Sequence, residues 1–81
     1  MKNNLDILGY NPNFMENISK NIKKFREEAN LSRADLAKMI GVSEDFLKKI
    51  EIYLGEKGLS LKTLYKISLV LDIPIDKFFY E

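Results

Sequence analysis

Residues 33 to 51, RADLAKMIGVSEDFLKKIE, decide how the rest of this chain must be read. The segment holds two short apolar-periodic runs divided by a glycine. Leu36, Ala37, Met39 and Ile40 form the apolar side of the first. Ser32, just ahead of the segment, is placed to cap that helix, with Asp35 at the reciprocal position three residues on. Gly41 stops it, because only a residue without a side chain enters the left-handed region cheaply. Val42 and Ser43 then complete a three-residue turn, and Ser43 caps the next helix. That helix spans about 44 to 54. At about 100° per residue, Leu47, Ile50 and Leu54 fall on one side and Asp45, Lys49 and Ile52 on the other. The first set faces a core, and small Ala37 lets the two helices approach closely.

Working outward, NPNFMENISKNIKKFREEAN (11 to 30) reads as a longer helix before this pair. Asn13 is its expected N-cap and Glu16 its capping-box partner, with Phe14, Ile18, Ile22, Phe25 and Ala29 on one face. Asn30 closes it in a left-handed conformation. After the pair, GEKG (55 to 58) reads as a loop, and Ser60 caps a fourth helix with Leu61, Leu64, Ile67, Ser68 and Leu71 inward. A last helical turn or two follows Pro74. The expectation is an all-α, compact five-helix domain over 13 to 81. Residues 1 to 12 read as a flexible N-terminal arm, since the weak alternation of Leu5 and Ile7 breaks at Gly9 and Pro12. A strand or a docked segment is the second reading there.

Composition narrows the chemistry. Eighty-one residues make one domain, and so short a chain needs every apolar stripe it has. There is no cysteine and no histidine, which removes disulfides, thiolate or imidazole metal sites and the ordinary Cys/His or Ser/His nucleophiles. No enzyme, metal or cofactor is expected. No apolar run approaches the roughly 18 residues of a membrane span, and MKNNLDILGY lacks the apolar core of a signal peptide, so the expected compartment is the cytoplasm. Thirteen basic against twelve acidic side chains give a net charge of only +1. Their distribution is less even: KNIKKFR (20 to 26) carries four positive charges and no negative one, and Arg33 and Lys38 follow. Such a run serves either nucleic acid or a solvated helix face.

Two short helices about a glycine turn constitute the helix-turn-helix. It holds its second helix proud of the surface, so that this helix fits a DNA major groove while the N-terminus of the first meets phosphates. From about Ile18 to Phe79 the chain resembles the Cro/phage-repressor helix-turn-helix family, also called the XRE family. The resemblance is carried by LSRADLAKMIGVS, the Ile50–Glu51 pair, SLKTLYKISLVLDI and IDKFF, in that order. It implies a lambda-repressor-like fold and a sequence-specific DNA-binding transcriptional regulator, with repression as the leading mode. It also implies that Arg26 and Glu51 form a structural ion pair beneath the recognition helix. Two positions depart from the family pattern. Arg33 replaces the usual Gln at the start of the first helix of the pair, which adds charge and a bidentate fork. Glu44 and Asp45 stand where polar or basic side chains are usual.

The expected DNA-facing set is therefore Arg33, Ser43, Glu44, Asp45, Phe46, Lys48, Lys49 and Lys57. Three readings of the two acids stay open. They complement the helix dipole, for roughly 0.3 to 1 kcal/mol each; or one accepts a hydrogen bond from a cytosine amino group; or the helix binds a protein through Phe46, Ile52 and Tyr53. The last belongs to the alternative function, a protein-interaction module such as an antirepressor or toxin-neutralising partner. Leu69, Ile75, Phe78 and Tyr80 are the expected homodimer interface, since a lone small domain gains specificity by pairing on a two-fold site in double-stranded DNA. For Phe78 or Phe79, closure of the core is the competing role.

Overall fold

The computed structural model describes residues 4–52 and 59–80. In chain order it contains α1 (Asn4–Ile7), α2 (Phe14–Glu28), α3 (Arg33–Ile40), α4 (Glu44–Ile52), α5 (Leu61–Leu71) and a 3₁₀ helix (Ile75–Phe79). No strand occurs among the described residues. The segment expected to be an arm carries one helical turn, α1, which buries none of its own side chains. The chain meets the domain at Tyr10, whose ring lies 6.1 Å from Phe14. Tyr53, Leu54 and Lys57, part of the expected recognition helix and its following loop, lie outside the described residues.

The core is one cluster: Ile18 and Ile22 from α2, Leu36, Ala37 and Ile40 from α3, Leu47 and Ile50 from α4, Leu64, Ile67 and Leu71 from α5, and Phe78. Phe78 is fully buried and meets Phe25 edge to face at 5.1 Å. It therefore belongs to the core and is withdrawn from the dimer set. Four periodic helices each contribute one stripe to this cluster, which is how a chain of this length reaches a closed interior.

Caps fix where the helices begin. Ser32 and Asp35 form the full capping box, and Ser60 accepts a bond from the Thr63 N–H. At Asn13 the expected cap fails: its side chain makes no capping bond, and the backbone is close to helical there already. The turn ahead of it is held instead by Asn11 Oδ1, which accepts from the Asn13 N–H at 2.9 Å. Three apolar assignments also change. Ala29 is the exposed C-cap of α2, Met39 is 58% exposed on α3, and Leu61 faces solvent at the first position of α5. Each lies at an end or edge of its stripe, where the periodicity is satisfied but the neighbouring helix does not reach.

Left-handed residues set the helix exits, and Asn30, with φ 59°, follows α2 as expected. Gly41, with φ 77°, closes α3 and opens the turn to α4. Asp72, with φ 56°, does the same for α5 before Pro74 directs the chain into the 3₁₀ helix.

Candidate nucleic-acid interface

The candidate interface is built on α3 and α4. The inward residues Leu47 and Ile50 lock α4 against α2 and α3. Its other side, Glu44, Asp45, Lys48, Lys49 and Ile52, is exposed. Ser43 starts the helix: its Oγ accepts from the Phe46 N–H at 3.0 Å. Phe46 is half-buried and packs on the core, so only part of its ring is available outward.

The acids at the start of α4 do two separate things. Both lie in the first turn, where carboxylates complement the helix dipole. Asp45 also receives the Lys49 ammonium at 3.1 Å, one turn on.

The other fixed point is buried. Glu51, near the end of α4, has a fully buried side chain and two arginine partners. Arg26 donates from Nε to Oε2 at 2.7 Å and from Nη2 to Oε1 at 3.0 Å, a bidentate fork, and from Nη1 to the Leu31 carbonyl at 2.9 Å. Arg33, the first residue of α3, donates from Nε and Nη2 to Oε1 at 3.2 and 3.1 Å. One carboxylate thus ties the last turn of α2, the start of α3 and the end of α4. The hydrogen bond to Glu51 raises the Arg26 pKa above its ordinary value; burial opposes this, and the Glu51 and Glu27 charges add to it. A further tie comes from Ser19 of α2, whose buried hydroxyl donates to the Ile50 carbonyl at 2.8 Å.

Of the expected site, Arg33, Ser43, Glu44, Asp45, Phe46, Lys48 and Lys49 are brought to the α3–α4 side of the domain. Arg33 arrives there already engaged by Glu51, a contact its spacing of eighteen residues did not suggest. The basic run of α2 is partly answered within its own helix: Lys20 lies 3.0 Å from Glu16, and Lys24 sits over the Phe25 ring at 5.7 Å. Among the described residues no buried side-chain nitrogen or oxygen lacks a hydrogen-bond partner, and no cluster of acidic residues could hold a metal ion. No helix among them is long and apolar enough to cross a membrane.

On α5 and the C-terminal segment, Leu69 and Tyr80 are exposed and Ile75 is half-buried. Leu69 continues a stripe with Leu61 and Tyr65 at intervals of four residues along α5, all three more than half exposed. Leu61, expected inward, belongs instead to this outer stripe with Tyr65.

Comparison with known proteins adds identity to this geometry. Residues 22–78 match the helix-turn-helix family model. The chain is 36% identical over 58 residues to the HTH-type transcriptional regulator SinR of Bacillus subtilis, an alignment covering 72% of this chain and 51% of SinR. It therefore spans about half the length of the curated relatives it matches. The crystal structure of SinR, master regulator for biofilm formation, in complex with DNA superposes with a TM-score of 0.69 at 33% identity, covering 78% of this chain and 98% of that one. The SinR/SinI complex superposes at 0.70 with 34% identity, covering 79% and 61%. The α3–Gly41–α4 unit and a family match over more than half of its length have one meaning: the chain belongs to the helix-turn-helix family, XRE type.

Proposed function

We propose that this chain is a sequence-specific DNA-binding domain of a transcriptional regulator, acting as a repressor in the cytoplasm, with α4 in the major groove and no catalytic step. The observation that carries the reading is the pose of α4. Its apolar side is locked into the core by Leu47 and Ile50 while its other side is exposed, on a backbone similar to that of SinR bound to DNA. Arg33 and Lys48 supply phosphate contacts, joined by Lys49 once it leaves Asp45. Ser43, Glu44, Asp45 and Phe46 lie nearest the base edges. Because B-DNA repeats its grooves, two copies related by a two-fold axis give the specificity that one domain lacks. Leu69, Ile75 and Tyr80, with Leu61 and Tyr65, supply the apolar surface for that pairing.

A salt-titrated binding assay with random and genomic duplexes tests this. Binding should tighten steeply as salt falls, with one class of genomic fragment retained at high salt. No binding to any fragment at about 50 mM salt, where phosphate contacts are strongest, would overturn it.

A second reading, a protein-interaction module, is favoured by one observation: the outer face of α4 has its own acid–base pair, Asp45 with Lys49, on a chain of net charge +1. SinR itself has been seen with the protein SinI. In that reading Phe46 and Ile52 carry the contact.

A further inference from the structure

We infer that Glu51, besides anchoring Arg26, is the positioning residue that holds the Arg33 guanidinium ready for a DNA phosphate, an inference that rests on the DNA-binding reading above. A guanidinium presents its N–H donors in a rigid planar fork with more than one usable edge. Arg33 commits the edge formed by Nε and Nη2 to a single oxygen, Glu51 Oε1. The edge shared by Nη1 and the outer side of Nη2 is not engaged by Glu51, and two parallel N–H groups there match two phosphate oxygens.

The support under this fork is stiff. Glu51 has no exposed side-chain surface, and its two oxygens are already fixed by the Arg26 fork, itself held on the Leu31 carbonyl. Arg33 is the accessible member, with 26% of its side chain exposed. Two guanidinium groups on one carboxylate leave one positive charge in excess. The buried Arg26 is satisfied by both oxygens, so that excess is presented at Arg33. A surface arginine must give up rotamer freedom when it grips a phosphate; Arg33 has given it up on folding. Its fork is also in register with α4, because the carboxylate it rests on belongs to α4. Positioning on the backbone and orientation of the recognition helix thus share one buried group.

The test uses Glu51→Gln, Arg33→Ala, Arg33→Lys and the Glu51→Gln/Arg33→Ala pair, with a non-specific duplex and well below each protein's melting temperature. Removing a negative charge near phosphates should by charge alone tighten binding. The positioning role gives the opposite sign: Glu51→Gln weakens it by about tenfold, the scale of one charge-assisted contact. Its log–log salt slope drops by about one unit per protomer. Arg33→Ala should lose as much. Arg33→Lys, which leaves the buried pair intact and keeps the charge, should fall most of the way to Arg33→Ala, because an ammonium has no fork. In the Arg33→Ala background the Glu51 change should cost less than about twofold. Arg33→Lys binding like the starting protein, or a Glu51→Gln loss that persists without Arg33, would overturn the assignment. A DNA-free arm separates the two readings: the Arg33 Nε–H resonance should be ordered in the free protein and lose that order in Glu51→Gln. A disordered Arg33 in a chain that binds DNA overturns the positioning role alone. An ordered Arg33 in a chain that binds no DNA at about 50 mM salt overturns the DNA-binding reading, and the phosphate role with it.

Discussion

The Lys49 ammonium sits 3.1 Å from the Asp45 carboxylate one helical turn before it, both side chains largely exposed. An exposed pair at this spacing is worth only about 0.3 to 0.5 kcal/mol, so a phosphate competes with Asp45 for Lys49 at little cost. The acids that open α4 are therefore compatible with a DNA-facing helix, and their place in the first turn predicts that they act at the dipole. Replacing Glu44 by Gln and Asp45 by Ser should cost up to about 2 kcal/mol in urea unfolding. Affinity for DNA in general should rise, with selectivity nearly unchanged. A loss of discrimination at one base pair of each half-site, of roughly 1 to 3 kcal/mol, would instead assign one carboxylate to a cytosine amino group.

The three-membered cluster at Glu51 predicts a rank order of stability. Glu51→Met leaves Arg26 buried without a carboxylate and should be the worst, at about 3 to 5 kcal/mol. Arg26→Met removes the better-buried cation but leaves Arg33 on Glu51, so it should cost less. Arg33→Met should cost least, since the bidentate Arg26 fork survives. Chemical denaturation of the three variants gives the order directly. Arg33→Met as damaging as Glu51→Met would show that Arg33 is a fold element first and a surface residue second.

Gly41 isolates the backbone contribution of the turn between α3 and α4. A Cβ built there meets nothing within 4 Å, yet φ is +77°. Gly41→Ala should therefore cost about 1 to 2 kcal/mol through the left-handed conformation alone. Gly41→Asn should recover part of it, because Asn tolerates that region better. Equal stability of the two variants would place the strain elsewhere.

Much of this architecture was legible because it follows from local rules. The runs ending at Ile40 and Ile50, the Ser32–Asp35 and Ser60 caps and the Gly41 turn are all set within a few residues. What local rules do not carry depends on contacts between distant segments. Asn21 reads as a polar residue inside a basic run, yet it is buried and donates to the Phe78 carbonyl at 2.9 Å and to that of Tyr80. Asn17 does the same for the Phe79 carbonyl at 3.1 Å. The two amides hold the 3₁₀ helix to α2, and periodicity counts only apolar positions, so neither stood out. Phe78 leaves two roles open for a local reason: a 3₁₀ turn after Pro74 aims side chains differently from an α-helix. At the interface, the resemblance brought Arg26 and Glu51 together, but Arg33 on the same carboxylate depends on how α3 docks.

Asn21→Ala follows as a test of that clamp. It removes the shared donor and should lower stability by about 1 to 3 kcal/mol, the range for leaving buried carbonyl groups without their partner. Asn21→Asp should be no better, since a carboxylate cannot donate to a carbonyl. A neutral Asn21→Ala would mean that buried Phe78 and the Asn17 bond to the Phe79 carbonyl suffice to hold the 3₁₀ helix.

Buried Phe78 and exposed Leu69 give opposite predictions, one for the core and one for the proposed pairing surface. Phe78 has no exposed surface and meets Phe25 edge to face, so Phe78→Ala should cost about 3 to 5 kcal/mol at any protein concentration. Leu69, 61% exposed between Tyr65 and the half-buried Ile75, should behave in the opposite way. Leu69→Lys should leave monomer stability within about 0.5 kcal/mol, as for an ordinary surface change. It should instead shift sedimentation at micromolar concentration toward monomer, and it should weaken binding to a two-fold operator far more than to a half-site. In the starting protein the two α4 helices should lie about 34 Å apart, one turn of B-DNA, so inserting five base pairs between half-sites should abolish cooperative binding. A chain that sediments as a strict monomer and remains one on its operator would remove the α5 face from the mechanism and leave α4 to read a single site.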